Sequence, residues 1–186
     1  MTKETNQRIC PVERAGGLDN SVRRLLQNPQ KILKPYINEG MTILDMGCGP
    51  GFFTIEIARL LNGTGKVIAA DLQQGMLDKV NQKIKGTVLE QRITLHQCQA
   101  TSVGVAEKVD FVLAFYMIHE VPDRQKLFEE FKSLLKPFGK ILIIEPKFHV
   151  SKKLFNEMIA TLETLGFEIL SGPKVFFSRS VLLTMI

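Results

Sequence analysis

The chain has 186 residues, of which 45% are hydrophobic and 23% are charged. This length and composition are typical of a soluble globular protein with one domain and enough apolar residues for a core. No stretch approaches the roughly 18 apolar residues that span a bilayer, and Met1–Arg8 is too polar for a secretory signal. We therefore expect a cytoplasmic protein with no membrane partner.

The formal net charge is +5, which favours a mildly basic enzyme over a nucleic-acid-binding protein. The basic residues near the N-terminus alternate with apolar ones, as on the solvated face of a helix.

The cysteines Cys10, Cys48 and Cys98 are far apart and form no CxxC pair. They predict neither a disulfide framework nor a zinc site, and we expect reduced, mostly buried thiols.

Two short helices are predicted before residue 40. They are Leu18–Leu26, with Asp19 or Asn20 as its cap, and Gln30–Ile37. A segment of this size cannot form a core of its own. We therefore expect residues 1–39 to be a helical lid segment packed on a main domain of residues 40–186.

The main domain is predicted to alternate strands with helices. The predicted strands are Thr42–Met46, Lys66–Asp71, Ile93–Cys98, Val109–Tyr116, Lys140–Glu145, Phe167–Leu170 and Val175–Thr184. The predicted helices are Phe52–Leu61, Gln74–Lys85, a short turn at Ser102–Lys108, Asp123–Leu135 and Ser151–Leu165, with Asp123 and Ser151 as caps.

The last two predicted strands are separated only by Ser171-Gly172-Pro173. This connection is too short for a helical crossover, so the two strands must be antiparallel neighbours. The whole pattern predicts an α/β fold, a doubly wound, Rossmann-like sheet of seven mostly parallel strands whose last strand is antiparallel.

A glycine turn follows the first predicted strand, with Gly47, Gly49 and Gly51 in G-x-G-x-G spacing. Glycines let the backbone turn tightly and let a ligand come close. Phe52 stands where the dinucleotide fingerprint G-x-G-x-x-G has its third glycine. Asp71 ends the second strand, about 20 residues downstream, where an acid can hold ribose hydroxyls. The competing interpretation of Asp71 is a simple helix cap.

Four motifs occur in one order. They are Asp45-Met46-Gly47-Cys48-Gly49-Pro50-Gly51, then Ala69-Ala70-Asp71-Leu72, then Val109–Phe115 followed by Met117–Asp123, and finally Leu134–Ile144. In these motifs the chain resembles the class I S-adenosylmethionine-dependent methyltransferases (methyltransferase type 11/25-like), from about Gly40 to its end. The resemblance implies S-adenosylmethionine as cofactor and S-adenosylhomocysteine as product.

The resemblance also implies roles for site residues. The backbone around Gly47 and Gly49 would lie against the methionine part of the cofactor, and Gly51 would belong to the same cofactor-binding turn. Asp45 would orient the ammonium group of the cofactor, directly or through water. Asp71 would hold the ribose, Leu72 and Met76 would flank the adenine, and Phe115 and Tyr116 would lie near the sulfonium. Gln99-Ala100 replaces the Asp-Ala of many members, and the Gln99 oxygen can still accept a bond from the adenine amino group.

Methyl transfer needs a nucleophile placed in line, which contributes roughly 7–11 kcal/mol, so no general base is strictly required. If a base exists, the catalytic candidates are His119, Glu145 and His149. For His119 a structural role, packing under the helix at Asp123, is the favoured alternative. Lys147 and His149, together with Arg23 and Arg24, could instead bind an acidic substrate. We expect no metal.

No domain is inserted between the late strands, which favours a small-molecule acceptor over a macromolecule. Tyr36, Phe52 and Phe148 could form aromatic walls, although core packing is the alternative for each. The other hypotheses are an RNA-modifying methyltransferase, a catalytically silent protein that binds S-adenosylmethionine, and, least favoured, a nicotinamide-dependent dehydrogenase.

Overall fold

The sheet provides the frame of the molecule. The structure, a computed structural model, describes residue 12 and residues 21–185, and for Ser21 and Val22 only the backbone. Its strands are β1 (Thr42–Met46), β2 (Lys66–Asp71), β3 (Ile93–Gln97), β4 (Val109–Phe115), β5 (Leu135–Pro146), β6 (Phe167–Ser171) and β7 (Ser178–Met185). They form one seven-stranded sheet in the order β3-β2-β1-β4-β5-β7-β6.

Pairing within the sheet is parallel from β3 to β5, whereas β7 is antiparallel to both β5 and β6. Strand order reverses on either side of β1, which carries the glycine turn at its carboxyl end. In such sheets this is the position at which ligands bind. The predicted doubly wound sheet with an antiparallel last strand is confirmed.

Helices cover both faces of the sheet. They are α1 (Ser21–Leu26), α2 (Pro29–Leu33), α3 (Phe52–Leu60), α4 (Gln74–Ile84), α5 (Arg124–Leu134) and α6 (Lys152–Thr164). Both predicted caps are confirmed: Asp123 Oδ1 accepts from Lys126 N (3.0 Å), and Ser151 Oγ accepts from Leu154 N (3.2 Å). Each cap satisfies one backbone N–H that the first helical turn leaves free.

Two apolar clusters hold the helices to the sheet. On one face α2, α3 and α4 bury Leu33, Ile57 and Val80 completely. On the other face α5 and α6 bury residues such as Phe131 and Leu162. Burying a side chain of this size stabilises the fold by about 1.5–3 kcal/mol. The two clusters make the sheet a rigid support for the residues at its carboxyl edge.

The predicted helical turn at Ser102–Lys108 is wrong. The backbone N–H of Val103 donates instead to Glu130 Oε2 (2.6 Å), and the Val103 carbonyl lies 2.7 Å from His96 Nε2. Gly104 adopts a left-handed φ of +70°. Because these side chains satisfy the backbone polar groups, the segment needs no intrahelical bonds and remains an extended loop.

Three other boundaries within residues 21–185 differ from prediction by three residues or more, and several more differ by one residue. β5 begins at Leu135 rather than Lys140, because Leu135 pairs with Val109 across an irregularity in the ladder. β7 begins at Ser178 rather than Val175, because a turn precedes it in which Phe177 has φ +51°. α2 ends at Leu33, whose carbonyl accepts from the N–H groups of Tyr36 and Ile37 in a closing turn.

The N-terminal segment packs on the sheet where it is described. Asn28 caps α2 by accepting from Lys31 N (3.1 Å), and Ile32, Leu33 and Ile37 are buried against the face formed with α3. The predicted caps Asp19 and Asn20, and Cys10, lie outside the described residues. The other two cysteines, Cys48 and Cys98, are buried and free, as expected. No helix within residues 21–185 is long and apolar enough to cross a membrane.

Candidate active site

A cavity of about 500 Å³ opens at the carboxyl ends of the parallel strands. It is lined by most of the residues that the sequence predicted for the site, namely Asp45, Gly47, Gly49, Asp71, Leu72, Met76, Gln99, Ala100, Phe115, Tyr116, His119 and His149, and also by Arg23, Phe52 and Phe148. Its volume lies within the range of about 300–1,000 Å³ that is usual for small-molecule sites.

The glycine turn is anchored on β2 and packed from behind. The N–H groups of Gly47 and Cys48 both donate to the Ala70 carbonyl, at 2.8 and 3.0 Å. Gly47 has φ +70°, and a Cβ on it would lie 2.8 Å from Cβ of Met117. Gly51, at φ +87°, packs against Val80 on α4 and does not line the cavity. The turn therefore requires glycine both for its backbone conformation and for its close packing.

Asp71 holds the glycine turn and faces the cavity. Its Oδ2 accepts from Gly49 N and its Oδ1 from Gln73 N, each at 2.9 Å. Burial raises the pKa of this carboxyl above its usual value, and the backbone donors oppose the rise. The carboxyl is 7% exposed, and each oxygen has a second lone pair that can accept a hydroxyl. Asp71 is not the cap of α4, whose N-cap residue is Gln73, because it bonds the turn before the helix. The ribose interpretation of Asp71 stays a prediction.

Asp45 is the more deeply buried carboxyl of the site, with 2% of its surface exposed. Its Oδ2 accepts a 2.6 Å bond from Oγ1 of Thr54. Burial raises the pKa of Asp45 from its usual 3.8 to about 7, while Thr54 opposes the rise. A buried carboxyl that lines a cavity and is poised near neutral pH is suited to bind a cation.

Thr54 was not predicted from the sequence as a functional residue. It is fully buried on α3 beside Phe53 and Ile57, which form an apolar face. A hydroxyl on such a face needs a buried partner, so its position in the helical pattern could have indicated a contact with the strand below.

Aromatic rings form one wall of the cavity. The centroids of Phe53 and Phe115 lie 4.3 Å apart, as do those of Phe115 and Tyr116. The Arg23 guanidinium lies 4.5 Å from the Phe52 centroid and 5.3 Å from that of Phe115. The faces of these rings can therefore stabilise positive charge at this wall.

Tyr116 connects the N-terminal segment to the sheet. Its hydroxyl accepts from Gln27 Nε2 at 2.6 Å and lies 2.5 Å from Ser178 Oγ. Its backbone has φ +60°, a rare conformation for a side chain of this size. Neither Gln27 nor Ser178 was predicted for the site, since nothing near either residue in the chain indicates this contact.

The three candidate bases lie next to one another. Oε2 of Glu145 lies 2.5 Å from Nδ1 of His119, and Nε2 of His119 lies 3.1 Å from Nδ1 of His149. Glu145 itself does not line the cavity, whereas both histidines do. The ring of His119 therefore faces the cavity instead of only packing under α5. In residues 21–185 no group of three or more His, Cys, Asp and Glu side chains is arranged to hold a metal ion.

The residues predicted to contact the adenine include exposed ones, Leu72 and Gln99. Leu72 is partly exposed and Met76 is buried, and both line the cavity. The backbone of Gln99 pairs with that of Ser102 in an isolated bridge, which leaves the Gln99 side chain exposed at the cavity. This placement is compatible with the implied adenine contacts.

Several other predicted residues have different surroundings. Tyr36 stacks on Phe111 at 6.2 Å in the core and does not line the cavity. Arg24 pairs with the buried Glu56 at 3.0 Å. Of the four residues suggested for an acidic substrate, Arg23 and His149 line the cavity, whereas Arg24 and Lys147 do not.

Comparison with known proteins agrees with this arrangement. A family model described as a methyltransferase domain matches residues 37–172. The demethylmenaquinone methyltransferase of Lactobacillus johnsonii is 34% identical over 110 residues, which cover 59% of this chain and 45% of that protein. The ubiquinone/menaquinone biosynthesis C-methyltransferase UbiE of Klebsiella pneumoniae is 27% identical over 140 residues, covering 75% and 53%. The chain thus spans about half the length of these curated relatives.

Solved structures share the fold. A SAM-dependent methyltransferase from Aquifex aeolicus has a TM-score of 0.86 at 26% identity, and the match covers 96% of this chain and 100% of that one. A SAM-dependent O-methyltransferase from Thermotoga maritima, at 18% identity, has a TM-score of 0.66 and a match covering 99% and 68%. The second likeness concerns the fold alone.

Proposed function

Since the chain belongs to the class I S-adenosylmethionine-dependent methyltransferases, we propose that it transfers a methyl group to a small molecule bound in the cavity beside the glycine turn. One observation carries the proposal: Asp45 near the end of β1 and Asp71 at the end of β2 line the same cavity as the glycine turn. A ligand with a cation at one end and a diol at the other matches this pair of acceptors.

The residues present fit the cofactor that the family uses. The glycine turn leaves room for close approach, Asp45 would hold the ammonium group, and Asp71 would accept the ribose hydroxyls. Leu72 and Met76 would flank the adenine. When bound, S-adenosylmethionine supplies an electrophilic methyl group on a positively charged sulfur.

The aromatic wall supports the position of the reacting groups. Phe115 and Tyr116 follow one another at the end of β4, and Phe53 packs on Phe115 from α3. Rings held at both sides by a strand and a helix cannot shift easily, so they would confine an acceptor to one orientation. Such confinement is worth roughly 7–11 kcal/mol of the barrier, which is more than a general base contributes.

We propose an acceptor of the hydroxylated aromatic ring type. The support is the wall of Phe52, Phe53, Phe115, Tyr116 and Phe148, together with the names of the relatives, which concern demethylmenaquinone and the C-methylation of ubiquinone and menaquinone. A planar apolar ring stacks on such a wall, whereas a nucleic acid would need a basic groove as well.

Two measurements test the function. S-adenosylhomocysteine at millimolar concentration should raise the melting temperature, because a ligand that binds only the folded state stabilises it. The absence of a shift would refute cofactor binding. Labelled methyl should then pass from S-adenosylmethionine to a short-chain demethylmenaquinol. Transfer to RNA but not to the quinol would favour the RNA-modifying alternative, and binding without transfer to any cell fraction would favour a silent binding protein.

A further inference from the structure

We propose that Glu145, His119 and His149 form a proton relay in which Nε2 of His149 takes a proton from a hydroxyl group of the methyl acceptor. The proposal rests on the proposed function and deepens it, because it names the chemical property that the acceptor must have. It makes His149 a catalytic residue, and His119 and Glu145 positioning residues.

Glu145 is the fixed end of the relay. It lies near the end of β5 with 1% of its surface exposed. Its Oε1 accepts from the backbone N–H of Ile118 at 2.9 Å, and its Oε2 lies 2.5 Å from Nδ1 of His119. An ionised carboxylate can only accept hydrogen bonds. Nδ1 of His119 therefore carries a hydrogen, and the tautomer of that ring is set by Glu145.

The tautomer of His149 follows from that of His119. Neutral His119 has its lone pair on Nε2, which lies 3.1 Å from Nδ1 of His149. A hydrogen bond needs one hydrogen between the two nitrogens, and only His149 can supply it. Neutral His149 is thus protonated at Nδ1 and unprotonated at Nε2. The lone pair that can take a proton therefore lies on Nε2 of His149, at the outer end of the three hydrogen-bonded side chains.

His149 is placed where an acceptor can reach it. It is exposed and lines the cavity together with Phe148, whose ring centroid lies 4.6 Å from its own. The Phe148 ring in turn lies 6.4 Å from that of Tyr116, at the aromatic wall. A ring bound on this wall would have its substituents next to the imidazole.

In this relay a proton passes from the acceptor to solvent through His149. The O–H bond of the acceptor breaks, its proton goes to Nε2 of His149, and its electron pair makes the acceptor a nucleophile. The nucleophile, at its oxygen or at a ring carbon, forms the new bond to the methyl carbon, and the pair of the broken carbon–sulfur bond stays on sulfur as a neutral thioether. Where a ring carbon is methylated, that carbon then loses its hydrogen as a proton and the ring oxygen takes up a proton, which restores the aromatic hydroxyl. His149 becomes a cation that still donates through Nδ1 to His119, and the buried carboxylate of Glu145 stabilises this charge. Solvent then removes the proton from the exposed ring.

This relay selects for one class of acceptor. A neutral aromatic amine or a thiolate already offers a lone pair and needs no base before attack. A ring hydroxyl is weakly nucleophilic until it loses its proton, so it benefits from a base within reach. We therefore infer that the acceptor is a phenol or quinol and that its ionisation is the task of His149.

Other charged groups adjoin the relay but do not interrupt it. These groups are Glu120 beside His119, Arg124 on α5, Arg179 on β7 and Lys147 in the loop before Phe148. The Arg124 guanidinium donates to the backbone carbonyls of Ile118 and His119, at 3.1 and 3.3 Å. Arg179 lies opposite Glu145 in the ladder, and its Nε donates to the Val150 carbonyl at 3.3 Å.

Nitrogen-15 NMR of the imidazole rings tests the tautomers without any ligand. The chain has three histidines, and at pH 8 we expect Nδ1–H for His119 and His149. His96 serves as an internal reference of the opposite kind, because its Nε2 must donate to the Val103 carbonyl at 2.7 Å. A neutral His149 with Nε2–H in the unaltered protein would overturn the relay.

Glu145→Gln provides the matched variant for this measurement. The amide oxygen can still accept from Ile118, but the amide nitrogen donates to Nδ1 of His119. Both His119 and His149 should then switch to Nε2–H while His96 does not change. Unchanged tautomers at His119 and His149 in a folded Glu145→Gln protein contradict the role of Glu145.

Kinetics with the same short-chain demethylmenaquinol as the acceptor test the catalytic role. At saturating S-adenosylmethionine, His149→Ala should lower kcat by about a hundredfold or more. Glu145→Gln should also lower kcat, with the Kd of S-adenosylhomocysteine within about threefold of the original. A normal kcat in a folded His149→Ala protein would overturn the proposal.

The two levels of failure are distinguishable. If the unaltered protein neither binds S-adenosylhomocysteine nor transfers methyl, the proposed function fails and the relay fails with it. If it binds and transfers normally but His149 shows the Nε2–H tautomer, only the relay fails.

Discussion

Oγ1 of Thr54 donates a 2.6 Å hydrogen bond to Oδ2 of Asp45, and this bond joins the first turn of α3 to the end of β1. Both side chains are buried. The bond therefore ties the helix that follows the glycine turn to the strand that precedes it. It also holds in place the carboxyl that we propose as the ammonium site.

Thr54→Val should weaken both the fold and cofactor binding. Valine keeps the shape but removes the donor to a buried acceptor, so the free energy of unfolding in urea should fall by about 1–3 kcal/mol. Loss of the donor also raises the pKa of Asp45 further, which weakens binding of a cation at pH 7. Thr54→Ser retains the hydroxyl and is the control. Equal stability of the Val and Ser variants would contradict the role of the bond.

The affinity for S-adenosylhomocysteine should depend on pH through Asp45. The pKa of this carboxyl is about 7, and only its ionised form attracts the ammonium group. Below pH 7 the affinity should fall by about tenfold per pH unit, and above it the affinity should level off. Calorimetry between pH 5.5 and 7.5 measures this slope. Asp45→Asn should bind weakly with no slope, and a slope that persists in Asp45→Asn would assign it to another group.

The same carboxyl should lower stability as the pH rises. The unfolded chain releases the Asp45 proton near its usual pKa of 3.8, whereas the folded protein retains it up to about 7. The folded state therefore binds more protons between these values, and the contribution of Asp45 to the free energy of unfolding falls from about pH 4 to about pH 7. The free energy of unfolding of the original protein should therefore fall relative to that of Asp45→Asn as the pH rises through this window, which urea denaturation at each pH measures.

Asp71→Ala should reduce the affinity of the protein for the cofactor. The variant loses the acceptor for Gly49 and Gln73 and the proposed acceptor for the ribose, so we expect a Kd for S-adenosylhomocysteine that is about 10- to 100-fold higher. Asp78→Ala, at an exposed carboxyl on α4, is the control. An unaltered Kd in a folded Asp71→Ala protein would remove Asp71 from the cofactor site.

Alanine substitutions at Gly47 and Gly86 distinguish the cost of backbone strain from the cost of a packing clash. Gly47 and Gly86 have nearly equal φ values, +70° and +73°, but a Cβ would lie 2.8 Å from Met117 Cβ at Gly47 and would meet no atom within 4 Å at Gly86. Each alanine substitution should cost about 1–3 kcal/mol for the left-handed backbone, and Gly47→Ala should cost more. If urea denaturation shows the same loss for both variants, Met117 moves aside freely.

Tyr116→Phe should loosen the N-terminal segment. It removes the hydroxyl that bonds Gln27 and Ser178, so limited proteolysis before α3 should be several times faster, and stability should fall by about 1 kcal/mol. Tyr36→Phe is the matched control, because the Tyr36 hydroxyl has no hydrogen bond within the described residues. Equal proteolysis of the two variants would argue against Tyr116 as the connection to this segment.

Much of the frame could be predicted from the sequence because it depends on neighbours in the chain. The apolar periods of the strands and helices, the caps at Asp123 and Ser151, and the short connection before the last strand are all local patterns. The glycine turn and Asp71 could be found because a parallel sheet brings the ends of successive strands to one edge.

The contacts between distant parts of the chain could not be predicted from the sequence and follow from the packing of the folded protein. The register of β4 and β5 brings Glu145 to His119, and the loop after β5 then brings His149 to the same ring. In the same way Glu130 and His96 satisfy the loop that was predicted to be helical. Hydrophobic periodicity predicts which face of an element is buried. A hydrogen bond depends on a donor–acceptor distance that must be right to within a few tenths of an ångström, and no local pattern in the sequence relates the two side chains.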